Sequence, residues 1–478
     1  MAFDFDLDEM FGWARDHYSL GFKRPGTHEG MRAEEYIYGL FKGFGLPKVA
    51  IEDVPFFGWF HEKAHIIVHG AAAGSKSFPC EPIVYTAFTA PSGITAPIID
   101  VGFGAKEDFD RIDLKGKIAL VTYAHGRLPY DVMYEIGYYV HDPEGSMAGK
   151  DQVMSWIAEE EQRVYEAAVD AGAAGFIGVY PLDITPYLCF EGGDAFTGTV
   201  GSIPGVGLKK SDGELLRELV LKDDISATIV LTGEMRRSVT RNIVGIIPGE
   251  SERVIQVTSH HDSMWLGATE DASGVSVVLA LAKAYADRYR DKRPKKTLVF
   301  LLEAAECLFV IGSRGYISRH REDLIRNLVC DLHAEHLALE FAEGDNGVLV
   351  PTGDIMPRAL FVTDAGPLVE IVKGAVVKNN LRRTAMIPAD TPFGVPTDAT
   401  AYNRSGIPVV SFISPPLYWN GIEDTWDKLA VDELIPTARA FSDMVEALLE
   451  ADPDTIRKPA PPTGGYITYG SRVKDKKG

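Results

Sequence analysis

Apolar and polar positions follow two different patterns along this chain. Between about residues 8 and 44 the apolar side chains recur with helical spacing, in two stretches separated by RPGTHEG. From about residue 82, short β-rich runs such as EPIVYTAF and GKIALVTYAHG are separated by Gly, Asp and Pro. From ERVIQVTSHHD to GIPVVSFISPP the chain then alternates strand and helix. This order predicts an α/β layered fold.

The same changes of pattern predict the domain organisation. A chain of 478 residues is too long for one ordinary hydrophobic core. We expect a catalytic domain in two parts, residues 1–78 and 231–453, which a β-rich domain at 79–230 interrupts. Residues 454–478 are rich in Pro and Gly and then basic, and we expect them to form a C-terminal extension on the surface.

Composition narrows the class of partner. The formal net charge of -20 repels phosphate backbones and anionic lipid, so we expect a small-molecule or short peptide substrate, with no nucleic acid and no membrane. The N-terminus carries acids where a signal peptide needs a basic start, and no apolar run approaches membrane-spanning length, which predicts a cytoplasmic location. A homo-oligomer is compatible with the sequence. The cysteines have neither metal-finger nor disulfide spacing and are expected to be reduced thiols: Cys80, Cys189, Cys307 and Cys330.

Three polar clusters stand where strands are predicted to end. Because the carboxyl ends of neighbouring parallel strands meet at one edge of a sheet, we expect the clusters to converge. Imidazoles and carboxylates are ligands of borderline divalent metals such as zinc, whereas a single cluster could equally be a solvated loop. The clusters are His260, His261, Asp262, Glu270 and Asp271; then Glu303 and Glu306; then Asp331, His333, Glu335 and His336.

The order of these motifs resembles the co-catalytic zinc aminopeptidases, a family that includes bacterial leucyl aminopeptidases and glutamate carboxypeptidase. The matching segments are SHHD, GATEDASG, ECLFVIGS, LHAEHL, TDATAYNRSGIPVV and NGIEDT. Residues 79–230 similarly resemble a protease-associated domain, through GKIALV, AGAAGFIGV and SIPGVGL. The resemblance implies a three-layer α/β/α catalytic domain with this second domain inserted.

The resemblance also implies a set of site residues. His260 and Glu335 match ligands of one metal, and Glu270 stands where the family has an aspartate that bridges two metals. Glu306 matches the general base that takes a proton from metal-bound water. Asp262 is expected to orient the imidazole of His260 from behind.

The second metal position of the family is dismantled in this chain. Cys307 replaces its ligating glutamate and Asn420 its late histidine, so we predict one divalent ion per chain. The resemblance implies that this ion is zinc. Iron or manganese is the alternative, because one imidazole and two carboxylates form a hard ligand set. Strand alternation puts His333 on the face of Glu335 and turns His336 away. The further possible ligands are His261, Asp271, Asp331, His333 and Cys307.

Several large side chains lie in segments expected to line the substrate pocket. They are Trp265, Arg404, Tyr418, Trp419 and Asn420. Aromatic walls with one guanidinium suit an aromatic or carboxylate-bearing small substrate. Surface aromatics and a structural ion pair are the alternative interpretation.

Together these features predict a metal-dependent hydrolase that cleaves a C–N bond, of amide or peptide type, in a small substrate. One alternative is a non-hydrolytic enzyme, a lyase or cyclising transferase, that uses the same metal as a Lewis acid. The other alternative is an inactive, peptidase-like binding protein.

Overall fold

The structure is a computed structural model, and the residues it describes are 3–70, 74–124, 126–153, 158–391, 394–419 and 421–457. Asn420 and nearly all of the expected C-terminal extension lie outside these residues. The helices are α1 (Leu7–Tyr18), α2 (His28–Gly43), α3 (Lys106–Arg111), α4 (Asp131–Ile136), α5 (Ala158–Asp170), α6 (Lys210–Lys222), α7 (Gly274–Arg288), α8 (Ile311–Arg319), α9 (Leu324–Asn327), α10 (Leu368–Lys378), α11 (Ala399–Arg404), α12 (Leu434–Glu450) and α13 (Pro453–Ile456).

The strands are distributed over the same length of chain. They are β1 (Lys48–Gly70), β2 (Gly74–Phe78), β3 (Glu81–Val84), β4 (Ile94–Gly102), β5 (Ile118–Thr122), β6 (Arg127–Pro129), β7 (Tyr139–His141), β8 (Asp151–Val153), β9 (Gly175–Val179), β10 (Leu188–Cys189), β11 (Gly205–Leu208), β12 (Ser226–Ile247), β13 (Ser251–His260), β14 (Lys296–Glu303), β15 (Leu328–Ala334), β16 (Leu339–Glu343), β17 (Leu349–Ile355), β18 (Arg358–Val362), β19 (Thr384–Pro388) and β20 (Val409–Ile413).

One mixed sheet of 16 strands runs through the described part of the chain. At its centre β14, β13, β15 and β20 are neighbours in that order and run parallel. These strands are buried over most of their length, which explains why they appear in the sequence as apolar runs rather than alternating patterns.

Helices cover both faces of these central strands. The core on one face includes α2, α7, α10 and α12. The core on the other includes α8, α9 and α11. The predicted three-layer α/β/α fold class is therefore confirmed. Within the described residues, every helix is too short or too polar to cross a membrane.

A long antiparallel ribbon connects the central sheet to the strands of residues 79–230. In this ribbon β1 pairs with β12 along nearly its whole length. One end of β12 pairs with β14, and its other end pairs with β4. Beyond β4 the parallel strands β5, β9 and β11 continue the sheet. The resemblance of this region to a protease-associated domain stays a prediction.

The region 79–230 also returns to the catalytic part. Strand β7 pairs with β19 at the far edge of the sheet. Beneath this edge the hydroxyl of Tyr130 donates to Glu340 Oε1 at 3.0 Å, and the fully buried Arg383 contacts the same carboxylate at 3.0 and 3.1 Å. Because a buried charge is stable only when it is paired and hydrogen-bonded, this network holds the two parts in one arrangement.

Candidate metal centre

The three polar clusters meet at the carboxyl edge of the central strands. His260 ends β13 and lies opposite Glu303, which ends β14. On the other side of β13, Thr258 lies opposite His333 of β15. The side chains that follow these strand ends therefore share one buried space, as the sequence pattern predicted.

Three groups of side chains in this space bring ligand atoms within 4.8 Å of one another. They are His260 with Glu335 and His336; His260 with Glu270 and Glu306; and His333 with Glu335 and Asp398. Glu270 and Glu335 thus approach His260 in separate groups. Among the described residues, His261, Asp271, Asp331 and Cys307 belong to none of the three groups.

His260 is fully buried, and a hydrogen bond to one of its two ring nitrogens orients the imidazole. Its Nδ1 donates to the backbone carbonyl of Asp262 at 3.1 Å and lies 3.6 Å from the Asp262 carboxylate. Its Nε2 has no hydrogen-bond partner in the described structure. Burial opposes the charged imidazole, but Asp262, Asp271 and Glu335 together raise the pKa of His260 well above its ordinary value. A cation is therefore favoured at Nε2, whether a proton or a metal.

The expectation that His336 turns away is wrong. Strand β15 ends at Ala334, and His336 has a left-handed backbone with φ of 50°, so strand alternation no longer governs its direction. Its Nε2 lies 3.9 Å from Glu335 Oε2, and its Nδ1 donates to the Ser414 carbonyl at 3.0 Å. His336 Nε2, like that of His260, is buried without a hydrogen-bond partner in the described structure.

Asp424 positions Glu270 through the backbone. The Asp424 carboxylate accepts hydrogen bonds from the N–H groups of Thr269 and Glu270, at 3.1 and 3.0 Å. The thiol of Cys307 lies 3.8 Å from Glu270 Oε1. Burial and the nearby carboxylates of Asp262 and Glu306 raise the pKa of this thiol well above its ordinary value, which favours a neutral donor over a thiolate ligand.

The side chains of Asp271 and His261 form hydrogen bonds with nearby protein groups. Asp271 accepts hydrogen bonds from Ser259, from the Gly274 N–H at 3.0 Å and from the His336 N–H at 3.2 Å. His261 Nε2 donates to the Arg241 carbonyl at 2.9 Å. These two residues shape the backbone around the site.

Asp331 and His333 lie within β15, before its carboxyl end, whereas Glu335 follows that end. Asp331 Oδ1 accepts from Gln256 and Thr258 at 3.1 and 3.0 Å. His333 lies between Thr258, at 2.8 Å from Nδ1, and the Glu335 carboxylate, which contacts its Nε2. His333 does share the face of Glu335, but protein groups contact both of its ring nitrogens.

Sequence reasoning did not select Asp398 as a site residue. It precedes α11 and is fully buried, with Oδ1 accepting from the Ser313 hydroxyl at 3.3 Å and Oδ2 unpartnered in the described structure. Its backbone lies close enough to Glu335 to lower the pKa of that carboxyl, against the larger effect of burial. The signal was present in TDATAY, where an acid separates a loop from the start of a helix.

The surplus of buried carboxylates sets the electrostatics of the site. Burial raises the pKa of Glu306, Glu335 and Asp271 to about 7 in each case, and nearby carboxylates add to the effect. The positive charge of His260 acts in the opposite direction on all three. A divalent cation here would stabilise the ionised carboxylates.

The pocket beside this centre contains only part of the predicted lining. Ser263, Met264, Trp265, Gly267, Glu270, Gly421 and Asp424 line it. The Trp419 ring lies 5.9 Å from the ring of His336. Tyr418 and Arg404 are not among the residues that line this pocket. Tyr418 is fully buried with its hydroxyl on the Leu339 carbonyl, and Arg404 is exposed in the last turn of α11. The prediction for Asn420 lies outside the described residues.

The guanidinium of Arg24, which no sequence pattern indicated, contacts two residues that line this pocket. The Nε of Arg24 donates to the Met264 carbonyl at 2.9 Å, and its Cζ lies 5.1 Å from the ring centroid of Trp265. Phe22 packs edge-on against the same indole, at 5.3 Å. Arg24 is separated from Met264 by 240 residues, so only the fold brings the two together.

Comparison with known proteins identifies the class. Residues 242–445 match the model of Peptidase family M28. This part of the chain is therefore similar to peptidase family M28, which supports the predicted relationship to the co-catalytic zinc peptidases. The similarity to this family and to an aminopeptidase supports an aminopeptidase-like metallohydrolase.

Individual relatives agree with this class. The aminopeptidase YwaD of Bacillus subtilis is 28% identical over 239 residues, which are 49% of this chain and 42% of that protein. A probable glutamate carboxypeptidase of Arthroderma benhamiae is 22% identical over 381 residues, which are 66% of this chain and 51% of that protein. The chain thus spans about half or less of the length of these two relatives.

Solved structures show the same fold along nearly the whole chain. A zinc aminopeptidase from Bacillus subtilis, BSAP, aligns with a TM-score of 0.67 at 19% identity, over 96% of this chain and 99% of that one. A peptidase M28 precursor from Shewanella amazonensis SB2B aligns with a TM-score of 0.69 at 19% identity, over 95% of each chain.

Proposed function

We propose that this protein is a hydrolase that uses one divalent metal ion and Glu306 to cleave a C–N bond, of amide or peptide type, in a small substrate. The observation that carries the proposal is the unpartnered, buried Nε2 of His260, which faces several carboxylates with Glu306 beside them. Zinc is the metal named for the related aminopeptidase BSAP.

The donor set fits a divalent metal. Buried polar atoms in proteins normally have partners, so two unpartnered imidazole nitrogens among ionisable carboxylates are suited to bind a cation. His260, Glu335 and Glu270 are the ligands carried over from the family, with Asp262 directing the ring of His260. When bound, the ion would lower the pKa of a water molecule and polarise the substrate carbonyl.

Glu306 is suited to moving a proton. Its own N–H donates to Asp262 Oδ1 at 3.0 Å, which connects the backbone of the base to the carboxylate behind His260. Burial raises the pKa of Glu306 to about 7, so the carboxylate can accept a proton and release it near neutral pH. Glu306 would take a proton from the attacking water and return it to the leaving nitrogen.

Solvent-oxygen incorporation tests hydrolysis directly. The metal-loaded protein is incubated with dipeptides and N-acyl amino acids in ¹⁸O-labelled water, and the products are analysed by mass spectrometry. Hydrolysis places one labelled oxygen in the released acid. Unlabelled products would favour a lyase or cyclising transferase, and unchanged substrates across the panel would favour the inactive binding protein.

We further propose that the substrate carries a carboxylate which Arg24 binds. The terminal nitrogens of Arg24 have no hydrogen-bond partner among the described residues, while Trp265 and Phe22 hold the guanidinium plane. Trp265 also has a buried, unpartnered indole N–H beside the pocket. A planar guanidinium on an aromatic wall matches a carboxylate through two parallel hydrogen bonds.

Arg24→Gln is expected to raise KM for carboxylate-bearing substrates by about 10-fold or more with little change in kcat, because a charged hydrogen bond contributes about 1.5–3 kcal/mol. The exposed Arg404→Gln is the matched control and should leave KM unchanged. The readout is the ratio of KM values for a substrate and its carboxamide analogue. A wild-type protein that does not distinguish the two would contradict this role.

A further inference from the structure

We infer that the metal is held by His260, Glu335 and His336, so that two imidazoles and one carboxylate bind it, while Glu270 and Glu306 face water and substrate. The inference rests on the proposed function and deepens it, because it assigns a ligand, His336, that the family pattern does not supply. It also replaces Glu270 as a necessary ligand of the ion.

The hydrogen bonds of the two imidazoles carry this assignment. A carbonyl oxygen only accepts, so Nδ1 of His336 must donate to Ser414 and Nδ1 of His260 must donate to Asp262. In the neutral rings this leaves a lone pair on each Nε2, and both nitrogens are buried without a partner in the described structure. Metal-ligating histidines are held in this way by a hydrogen bond at the other nitrogen.

The same two lone pairs face Glu335. The ligand atoms of the three residues lie within 4.8 Å of one another, and His336 Nε2 is 3.9 Å from Glu335 Oε2. With both rings neutral and Glu335 ionised, none of the three donates a hydrogen to the others. A shared cation satisfies all three.

The position of His336 is built into the fold. Its N–H donates to Asp271 Oδ1 at 3.2 Å, and its carbonyl accepts from the Ser414 hydroxyl. A residue other than glycine with φ of 50° needs such support, since the left-handed conformation is unfavourable for most side chains. The indole of Trp419 lies beside the ring, at 5.9 Å. These contacts orient Nε2 before any metal binds.

The competing group of His260, Glu270 and Glu306 is less suitable. It provides one imidazole, and its Glu270 carboxylate is contacted by the Cys307 thiol at 3.8 Å. It would also bind Glu306, which is then no longer free to accept a proton from water. Assigning the metal to the other group keeps Glu306 available for the reaction.

The direct test is the number of imidazoles on the metal of the wild-type protein. X-ray absorption of the zinc-loaded or cobalt-loaded chain should show two imidazoles per ion. One imidazole per ion, or no retained ion, would overturn the inference. Two imidazoles without turnover would refute only the proposed function, whereas one imidazole with turnover would refute only this assignment.

A variant measures the contribution of His336 separately. His336→Gln should weaken zinc affinity by at least about 100-fold, measured by competition with a chromogenic chelator, because removing a ligand costs more than removing its supporting hydrogen bond. His320→Gln, at a half-buried histidine that pairs with Glu52 and lies outside the three groups, should leave the affinity unchanged. Loss of affinity in Glu270→Gln with no loss in His336→Gln would assign the metal to the competing group.

Discussion

Glu306→Gln is expected to lower kcat by at least about 100-fold while the protein keeps its metal, because a positioned general base contributes about 10²–10⁴-fold. The variant keeps the shape and the N–H contact to Asp262 but has no carboxylate to accept a proton. The measurements are kcat on a substrate found in the labelled-water assay and metal content by elemental analysis.

The control for this variant is the same exchange on the surface. Glu107 is exposed on α3, and Glu107→Gln should change neither kcat nor metal content. Near wild-type kcat in Glu306→Gln would refute the general-base role. Loss of metal together with kcat would mean that Glu306 is itself a ligand, as in the group it forms with His260 and Glu270.

His260 belongs to two of the three groups of possible metal ligands, and replacing it is expected to have the largest effect on stability. His260→Ala should lose the metal and unfold at a lower temperature, because an ion that binds only the folded state adds about 2.7 kcal/mol when its free concentration is 100 times Kd. The cavity left in this buried space adds to the loss. Calorimetry with and without a chelator measures both contributions.

Chelation separates the two contributions. A chelator should lower the melting temperature of the wild-type protein by several degrees and leave that of His260→Ala where it already is. If the wild-type melting temperature does not respond to the chelator, the account of the site as a metal centre is wrong.

Much of the site could be predicted because its first determinants are local. An apolar run that ends in polar residues indicates both a buried strand and the side chains at its end, as at His260 and Glu303. The alternation of strands and helices predicted the layered fold, and the position of the three polar clusters at strand ends predicted that they converge.

The remaining features depend on contacts that no local pattern encodes. His336 was set aside because strand alternation was extended two residues beyond the end of β15. Tyr418 and Arg404 have suitable chemistry, but their backbone directs them to a buried carbonyl and to solvent. Arg24 reaches the pocket only after the N-terminal segment packs beside Met264 and Trp265. Similarly, nothing in the residues of β7 indicates that β19 is its partner.

The central claim is that the protein binds one divalent metal ion per chain, and metal stoichiometry tests it most directly. The claim follows from the predicted loss of the family's second metal position and from the unpartnered imidazole nitrogen of His260. The purified chain is stripped with a chelator, titrated with zinc, separated from free ion and measured by elemental analysis. The account predicts a plateau of one tightly bound ion per chain. A plateau at two ions, or no retained ion, would contradict it.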